Sequence, residues 1–213
     1  MSGPDPNSDP AAAGSGEPQL YLVTPAGAAA AALGPLLSEV LDRAPVACLR
    51  IRAGDDEAEL GRLADMARDI AHARDVAVVI DDHPVLAERH GLDGVHLTRG
   101  PRGVREARKL LGAEAIVGAF CGASRHDGLM AAESGADYVS FGPVGPTSLG
   151  MGEPAPLELF AWWSEMIEVP VVAEGGLDAA LIEALRPVAD FIALGPEIWG
   201  AGDPAAALAA LWL

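Results

Sequence analysis

The chain has 213 residues, of which half are hydrophobic, so it is long enough for one domain with a full core. Its 31 acidic and 14 basic side chains give a formal charge of −17, which argues against nucleic acid and anionic membranes as partners. No apolar segment reaches the roughly 20 residues of a membrane span, and no secretory signal is seen. Cys48 and Cys121 lack metal-ligand spacing and are expected to be buried free thiols, which fits a reducing cytoplasm.

Short apolar strands alternate along the chain with segments whose apolar residues have helical spacing. Residues 1–18 are mostly Pro, Gly, Ser, Asp and Ala, and are expected to form a disordered lead-in to a domain at 19–213. The strands are predicted at 19–23, 46–52, 76–80, 94–97, 115–120, within 135–142, at 169–174 and at 190–194.

Eight strand–helix units with short connections predict a single (β/α)8 TIM barrel of the α/β class. A doubly wound open sheet is the alternative. It is less favoured, because such sheets more often stop at five or six strands and no G-x-G-x-x-G follows the first strand.

One motif recurs along the chain. The stretch 135–147 has Ala-Asp, an apolar strand and a Gly-Pro loop, and the stretch 189–196 repeats this order. A fainter copy lies at 92–97. We interpret the repeat as one supersecondary unit that is used more than once.

In a barrel of this kind, the loops that follow the strands carry the chemistry. Gly175-Gly176 follows the seventh strand and Gly195-Pro196 follows the eighth, the two loops where many barrels bind a phosphate through backbone N–H groups. The alternative is a pair of tight turns, which glycine also serves. We favour phosphate binding because the two pairs fall on the right loops.

Charged residues end the second and third strands. Arg50 and Arg52 alternate on one strand face, so both can point into the barrel mouth and clamp an anion. Asp81 and Asp82 offer carboxylate oxygens of the kind that Mg²⁺ binds. Equally, one of the two aspartates could cap the next helix, which begins near Pro84.

Several aromatic residues have simpler interpretations. His96 lies inside a strand and is expected to be a core histidine with satisfied hydrogen bonds rather than a base. His83 and His126 are close enough to the loops to be candidates, although each is more often a polar surface residue. Trp162 and Trp163 are expected to pack against the barrel.

As a set, the motifs resemble those of the thiamine phosphate synthase family, and they cover nearly everything from residue 19 onward. They are LYLVT at 20–24, LRIR at 49–52, IDD at 80–82, DGVHL at 93–97, GADYV at 135–139, FGPV at 141–144 with PT at 146–147, and GG at 175–176. The resemblance implies a (β/α)8 barrel that joins aminopyrimidine methyl diphosphate to thiazole phosphate. Diphosphate leaves with Mg²⁺, and the thiazole nitrogen takes the resulting cation. A homodimer is left open.

The resemblance also implies roles for individual residues. Arg50 matches a diphosphate contact, Asp82 a Mg²⁺ ligand, Thr147 a thiazole-phosphate contact and Gly175-Gly176 the phosphate-binding turn. The candidate site residues are therefore Arg50, Arg52 and Asp81 for catalysis, Asp82 for the metal, and Thr147, Gly175, Gly176 and Gly195 for the substrate phosphate.

The sequence departs from the family pattern at positions that carry charge. Pro101 stands where the family has its second acidic Mg²⁺ ligand, Gly150 where it has a lysine, and Pro196 where it has a serine. On the second and third strands, Cys48, Arg52 and Asp81 replace a glutamine, a lysine and an asparagine. We therefore expect weak Mg²⁺ binding and weak or divergent turnover. Arg52 could supply replacement charge, and Arg99 or Arg102 from the loop after the fourth strand are further candidates.

Two alternatives remain at this level. The chain could be a non-catalytic relative that binds a small phosphate ligand at the same barrel mouth. It could also be an isomerase-type enzyme of this fold that uses His126 or Cys121.

Overall fold

The computed structural model describes residues 16–146 and 153–213. Over these residues, parallel strands pair in sequence order and β8 closes onto β1, which makes a barrel without edges. The closed eight-stranded barrel with alternating helices confirms the predicted (β/α)8 TIM fold. Of the predicted lead-in at 1–18, only 16–18 are described, and Pro18 is already buried.

The elements follow the predicted order closely. The strands are β1 Gln19–Val23, β2 Val46–Ile51, β3 Ala77–Asp81, β4 Gly94–Leu97, β5 Ile116–Phe120, β6 Tyr138–Phe141, β7 Val171–Glu174 and β8 Phe191–Leu194. The helices are α1 Ala30–Arg43, α2 Glu57–His72, α3 Pro84–His90, α4 Val104–Leu111, α5 Arg125–Glu133, α6 Leu157–Met166, α7 Ala179–Leu185, α8 Pro196–Trp199 and α9 Pro204–Trp212. A 3₁₀ turn at Pro101–Gly103 precedes α4. In the described part of the chain, no helix has the length and apolarity needed to cross a membrane.

The larger core lies between the strands and the surrounding helices. Successive strand residues point to opposite faces, so Leu49 and Ile51 of β2 pack outward against helices while Cys48 faces the barrel axis. Trp163 of α6 is fully buried, and its indole N–H donates to the Val169 carbonyl at 2.7 Å. The predicted packing role of Trp163 is confirmed.

A second, smaller core fills the barrel axis. The hydroxyls of Tyr21 and Tyr138 are hydrogen-bonded at 2.7 Å, and the Tyr138 hydroxyl lies 2.9 Å from Nδ1 of His96. A Cβ at Gly118 would come within 2.0 Å of the Tyr138 ring, so β5 needs a glycine here to admit that ring.

His96 is a core histidine, as predicted, but only one of its ring nitrogens is satisfied. Its Nε2 is buried and has no hydrogen-bond partner among residues 16–146 and 153–213. Burial, with a smaller contribution from Arg50, holds the pKa of His96 well below 6.5. His96 is therefore neutral in the folded protein at neutral pH.

The two cysteines are free and buried, as predicted. Cys48 faces the barrel axis, and Cys121 follows β5. Burial raises the pKa of each thiol to about 12, so neither is a thiolate at neutral pH.

The repeated Asp before β4, β6 and β8 has one structural role. Each carboxylate accepts a hydrogen bond from the backbone N–H of a valine on the preceding strand, at 2.6, 2.6 and 2.8 Å. The backbone N–H of each Asp donates to the carbonyl of the same valine. The pairs, called here the aspartate clamps, are Asp93 with Val78, Asp137 with Val117, and Asp190 with Val171. The clamps lie at the amino ends of the strands.

Candidate functional site

A cavity of about 460 Å³ opens at the carboxyl ends of the strands. The loops after β2, β3, β7 and β8, from which the candidate residues were chosen, all contribute to its wall. Its charged lining residues are Arg50, Arg52, Asp81, Asp82, Glu174 and Glu197. The fold therefore gathers residues from distant parts of the chain at the end of the barrel where chemistry is usually found.

Arg50 is buried and forms two ion pairs at the base of this cavity. Its Nε donates to Oδ1 of Asp81 at 2.5 Å, and its Nη1 donates to Oε2 of Glu174 at 2.7 Å. Asp81 is the last residue of β3, and Glu174 is the last residue of β7 across the barrel. Ser140 of β6 donates to the other oxygen of Glu174 at 3.3 Å. We call Arg50, Asp81 and Glu174 the Arg50 network.

Burial and charge act in opposite directions within the Arg50 network. Burial alone would lower the pKa of Arg50, but Glu174 and Asp81 outweigh it and hold the pKa above the ordinary arginine value. Burial raises the pKa of Asp81, although the guanidinium opposes this shift. Arg50 stays cationic, but its charge is already balanced by protein carboxylates, so it is not the open anion clamp that the sequence predicted.

Arg52 is in a different situation. It follows β2 directly, lines the cavity and is half-buried. Its backbone N–H donates to Oγ1 of Thr24 at 3.0 Å, which fixes the start of the loop. Its guanidinium has no hydrogen bond or ion pair with any residue that the structure describes. Both predicted arginines line the cavity, and Arg52 is the one whose guanidinium no described residue engages.

Asp82 lies at the exposed edge of the cavity. Its backbone is left-handed, with φ of +51°, a conformation that aspartate tolerates better than most residues. Its carboxylate accepts from the backbone N–H of Thr98 at 2.9 Å and from the Thr98 hydroxyl. The N-cap of α3 is His83, and no side chain caps that helix, so the capping alternative for the aspartate pair is wrong.

The carboxylates can hold a metal ion only with help from a ligand. In the described ranges, no three His, Cys, Asp or Glu side chains are placed to bind one ion. Asp81 and Glu174 are paired with Arg50, and Pro101, where the resemblance puts a second acid, begins the 3₁₀ turn. Asp82 is the exposed carboxylate at the cavity edge and can offer an oxygen, and the remaining oxygens around Mg²⁺ would come from a diphosphate and water.

The two predicted phosphate loops converge on a single anion. The backbone N–H groups of Gly176 and Leu177 donate to Oε1 of Glu197 at 3.0 and 3.2 Å. The Gly195 N–H donates to Oε2 of the same side chain at 2.9 Å. We call these three N–H groups the anion turn. Their geometry suits an oxyanion, and the oxyanion they hold belongs to the protein.

The shape of the anion turn depends on glycine. Gly175 and Gly176 have φ of +87° and +70°, which side chains rarely adopt. A Cβ at Gly176 would lie 2.6 Å from the Gly145 backbone, so the loop after β6 packs directly on the turn. The Gly175 carbonyl accepts from the N–H groups of Val144 and Gly145 at 2.9 and 3.0 Å. Gly175 thus supports the turn without itself donating to Glu197.

The cavity is short of positive charge. Among the described residues, two arginines and four carboxylates line it, a formal excess of two negative charges. The single lysine of the chain, Lys109, is exposed on α4. Arg99 and Arg102, which the sequence suggested as replacement charge, are exposed and are not among the residues that line the cavity.

The remaining candidates do not join the site. Thr147 and Gly150 fall outside the described residues. His83 donates through Nδ1 to the Asp81 carbonyl at 2.6 Å, and His126 is exposed on α5. Neither histidine lines the cavity, nor does the buried Cys121. His126 and Cys121, on which the isomerase alternative depends, are therefore not in the wall of the cavity.

Two site residues were missed from the sequence, Glu174 and Glu197. Glu174 is the one charged residue of an otherwise apolar strand and comes directly before the glycine pair. Glu197 comes two residues after Gly195, next to a loop predicted to bind phosphate. In each case, a carboxylate beside a predicted anion site was the available signal, because such a charge needs a partner.

Comparison with known proteins agrees with this geometry. Residues 20–198 match a family described as thiamine monophosphate synthase. Thiamine-phosphate synthase of Rhodospirillum centenum is 45% identical over 198 residues, covering 90% of this chain and 94% of the relative. That of Erythrobacter litoralis is 40% identical over 199 residues, covering 90% and 92%. The solved thiamine phosphate pyrophosphorylase of Pyrococcus furiosus has a TM-score of 0.78 at 26% identity, covering 91% and 93%.

Proposed function

This chain belongs to the thiamine monophosphate synthase family, and we propose that it joins aminopyrimidine methyl diphosphate to thiazole phosphate with loss of diphosphate. The main support for the proposal is the cavity at the carboxyl ends of the strands. It brings an available arginine, an exposed aspartate and a convergent set of backbone N–H groups into one volume. A reaction between two phosphorylated heterocycles needs these groups together.

We assign the diphosphate to the side of the cavity that carries Arg52. A planar guanidinium can make two parallel hydrogen bonds to phosphate oxygens, and the Arg52 guanidinium is not engaged by described protein carboxylates. Arg50 acts through its neighbours, because it holds Asp81 and Glu174 in place at the cavity base.

We propose Mg²⁺ as a weakly bound cofactor, with Asp82 as its protein ligand and the diphosphate as the source of further oxygens. When bound, the ion would neutralise charge on the departing diphosphate. Asp82 is held by Thr98, which fixes the direction of its carboxylate at the cavity edge.

Turnover is predicted to be slow. Departure of diphosphate builds negative charge in a cavity whose described lining already has two carboxylates in excess. The chain has no lysine other than Lys109, so no lysine can serve the diphosphate. Catalysis then depends on Arg52 and the metal.

Assembly and location remain predictions. A homodimer is left open by the sequence, and sedimentation equilibrium of the purified protein would test it. We expect a cytoplasmic location, which fractionation of the source cells would test.

The proposal is tested by measuring thiamine phosphate formation from both substrates with Mg²⁺. The full chain should form product, and Arg52→Gln should lower turnover by roughly a hundredfold, the loss seen when one group that stabilises developing charge is removed. Arg62→Gln is the matched control, because Arg62 is 62% exposed on α2 and, among the described residues, its one ion pair is with Glu59.

Two results would overturn the proposal. One is binding of both substrates without product, which would favour the non-catalytic alternative. The other is equal turnover in the wild type and in Arg52→Gln, which would leave the diphosphate without its assigned partner.

A further inference from the structure

The anion turn is occupied by the chain itself. Glu197 places one carboxylate oxygen on the N–H groups of Gly176 and Leu177, and the other on the N–H group of Gly195. All three donors are within 3.2 Å of an oxygen. A backbone N–H that donates to Glu197 cannot at the same time donate fully to a phosphate oxygen.

We infer that Glu197 is an intramolecular competitor for the phosphate group of the acceptor substrate. The phosphate reaches the anion turn only after this side chain has left it. The identity of the acceptor rests on the proposed function, but the competition itself rests on the three hydrogen bonds.

Charge makes the two occupants mutually exclusive. A carboxylate and a phosphate on the same three donors would be like charges in contact, without a described cation between them. Arg50 is engaged by two carboxylates, and Arg52 lies on the loop after β2. The anion turn therefore binds either Glu197 or a ligand phosphate.

The side chain has room to leave. Glu197 is half-buried, sits in the four-residue helix α8 and lines the open cavity. Rotation about its side-chain bonds would carry the carboxylate into that volume without moving the barrel. If the turn is free for only a fraction of the time, the apparent dissociation constant for phosphate rises by the inverse of that fraction.

Glu197 consequently sets how strongly the site prefers a phosphorylated acceptor. A thiazole that carries a free hydroxyl does not need the three N–H groups, so it does not compete with the carboxylate. The phosphorylated thiazole needs these N–H groups and therefore competes with Glu197. Removal of Glu197 should increase the preference for the phosphorylated acceptor over the alcohol.

The test measures binding of inorganic phosphate, thiazole phosphate and thiazole alcohol by calorimetry, without Mg²⁺ and without the second substrate. Glu197→Ala should bind both phosphates at least about tenfold more tightly than wild type, a factor that corresponds to about 1.4 kcal/mol. Its affinity for the alcohol should stay unchanged. Glu197→Gln, of nearly the same shape, should show a smaller gain and keeps the test valid if the alanine variant is unstable. Glu39→Ala, an exposed glutamate on α1, is the matched control and should behave like wild type.

Equal phosphate affinity in the wild type and both variants would overturn the inference. Weaker phosphate binding in the variants would do the same, and would make Glu197 a structural link between the β7 and β8 loops. Either result is independent of product formation. The wild type can make thiamine phosphate whether or not Glu197 competes, and a catalytically inactive chain can still show the gain in phosphate affinity.

Discussion

The two ends of the barrel use aspartate and glutamate in opposite ways. At the amino end, the aspartate clamps repeat on alternate strands, and each carboxylate satisfies a backbone N–H of the neighbouring strand. At the carboxyl end, Asp81 and Glu174 share Arg50, Asp82 is held by Thr98, and Glu197 is held by backbone N–H groups. The first arrangement ties strands together, and the second concentrates charge around a cavity.

The amino end of the barrel therefore mainly stabilises the fold, and the carboxyl end mainly forms the site. The clamps lie at the end of the barrel opposite the cavity, so the loss of one should reduce stability and leave ligand binding intact. At the carboxyl end, Asp81 and Glu174 share Arg50, so the effects of substitutions in the Arg50 network should not be additive. Four substitutions or treatments examine this separation, beginning with the largest expected effect.

Arg50→Ala should have the largest effect on stability. It would leave the buried Asp81 and the half-buried Glu174 without their cation, and breaking a buried pair such as Arg50–Asp81 costs about 3–5 kcal/mol. Urea unfolding measures the loss. Arg62→Ala is the control, since its exposed pair with Glu59 is worth roughly 0–1 kcal/mol. Similar losses in the two variants would mean that the Arg50 network does not stabilise the fold.

Asp190→Ala removes a clamp at the other end. The N–H of Val171 would lose its acceptor, which should cost about 1–3 kcal/mol of unfolding free energy. Asp190→Asn keeps an acceptor oxygen and should lose much less. Phosphate affinity should be unchanged in both variants. If Asp190→Ala kept its stability but changed its phosphate affinity, the amino end would affect ligand binding, and the separation between the two ends would be wrong.

His96 lies between the two ends of the barrel and should make the free energy of unfolding depend on pH. Its pKa is lowered in the folded state, so below pH 6.5 the unfolded chain binds a proton that the native chain does not. Stability should therefore fall as the pH drops below 6.5, by at most about 1.4 kcal/mol per pH unit from this group. His96→Gln should remove this part of the slope while the other histidines remain. Equal slopes from pH 7.5 to 5.5 in the two proteins would show that His96 is protonated in the native state.

The smallest expected effect is on the reactivity of the two cysteine thiols. Because burial raises the pKa of Cys48 and Cys121 to about 12, native protein at pH 8 should react with a thiol reagent far more slowly than free cysteine. Unfolding in urea should release two reactive thiols. Rapid labelling of the native protein with loss of activity would instead place a thiolate at the site.

The fold could be predicted from the sequence because its signals are local and repeated. Apolar strands and amphipathic helices alternate eight times, and the Ala-Asp and Gly-Pro motif marks strand starts and ends. The helix α8 was not predicted, since four residues carry too little pattern. The location of the site followed from the fold alone.

The pairing inside the site could not be predicted in the same way. Arg50 and Glu174 are 124 positions apart, and their contact depends on closure of the barrel across its axis. The sequence therefore left Arg50 and Arg52 equivalent, although one is neutralised and the other is available. Glu197 was missed because the glycine loops were interpreted as a site for a ligand phosphate, whereas Glu197 reaches the N–H groups of the β7 loop only through closure of the barrel.

The most direct test of the separation between the two ends is single-turnover formation of thiamine phosphate by Asp190→Ala and Arg52→Gln, measured beside wild type at a temperature where all three are folded. We expect Asp190→Ala to keep the wild-type rate although it is less stable. We expect Arg52→Gln to keep its stability and to lose roughly a hundredfold in rate. Parallel losses of rate in the two variants, or no product from the wild type, would contradict these expectations.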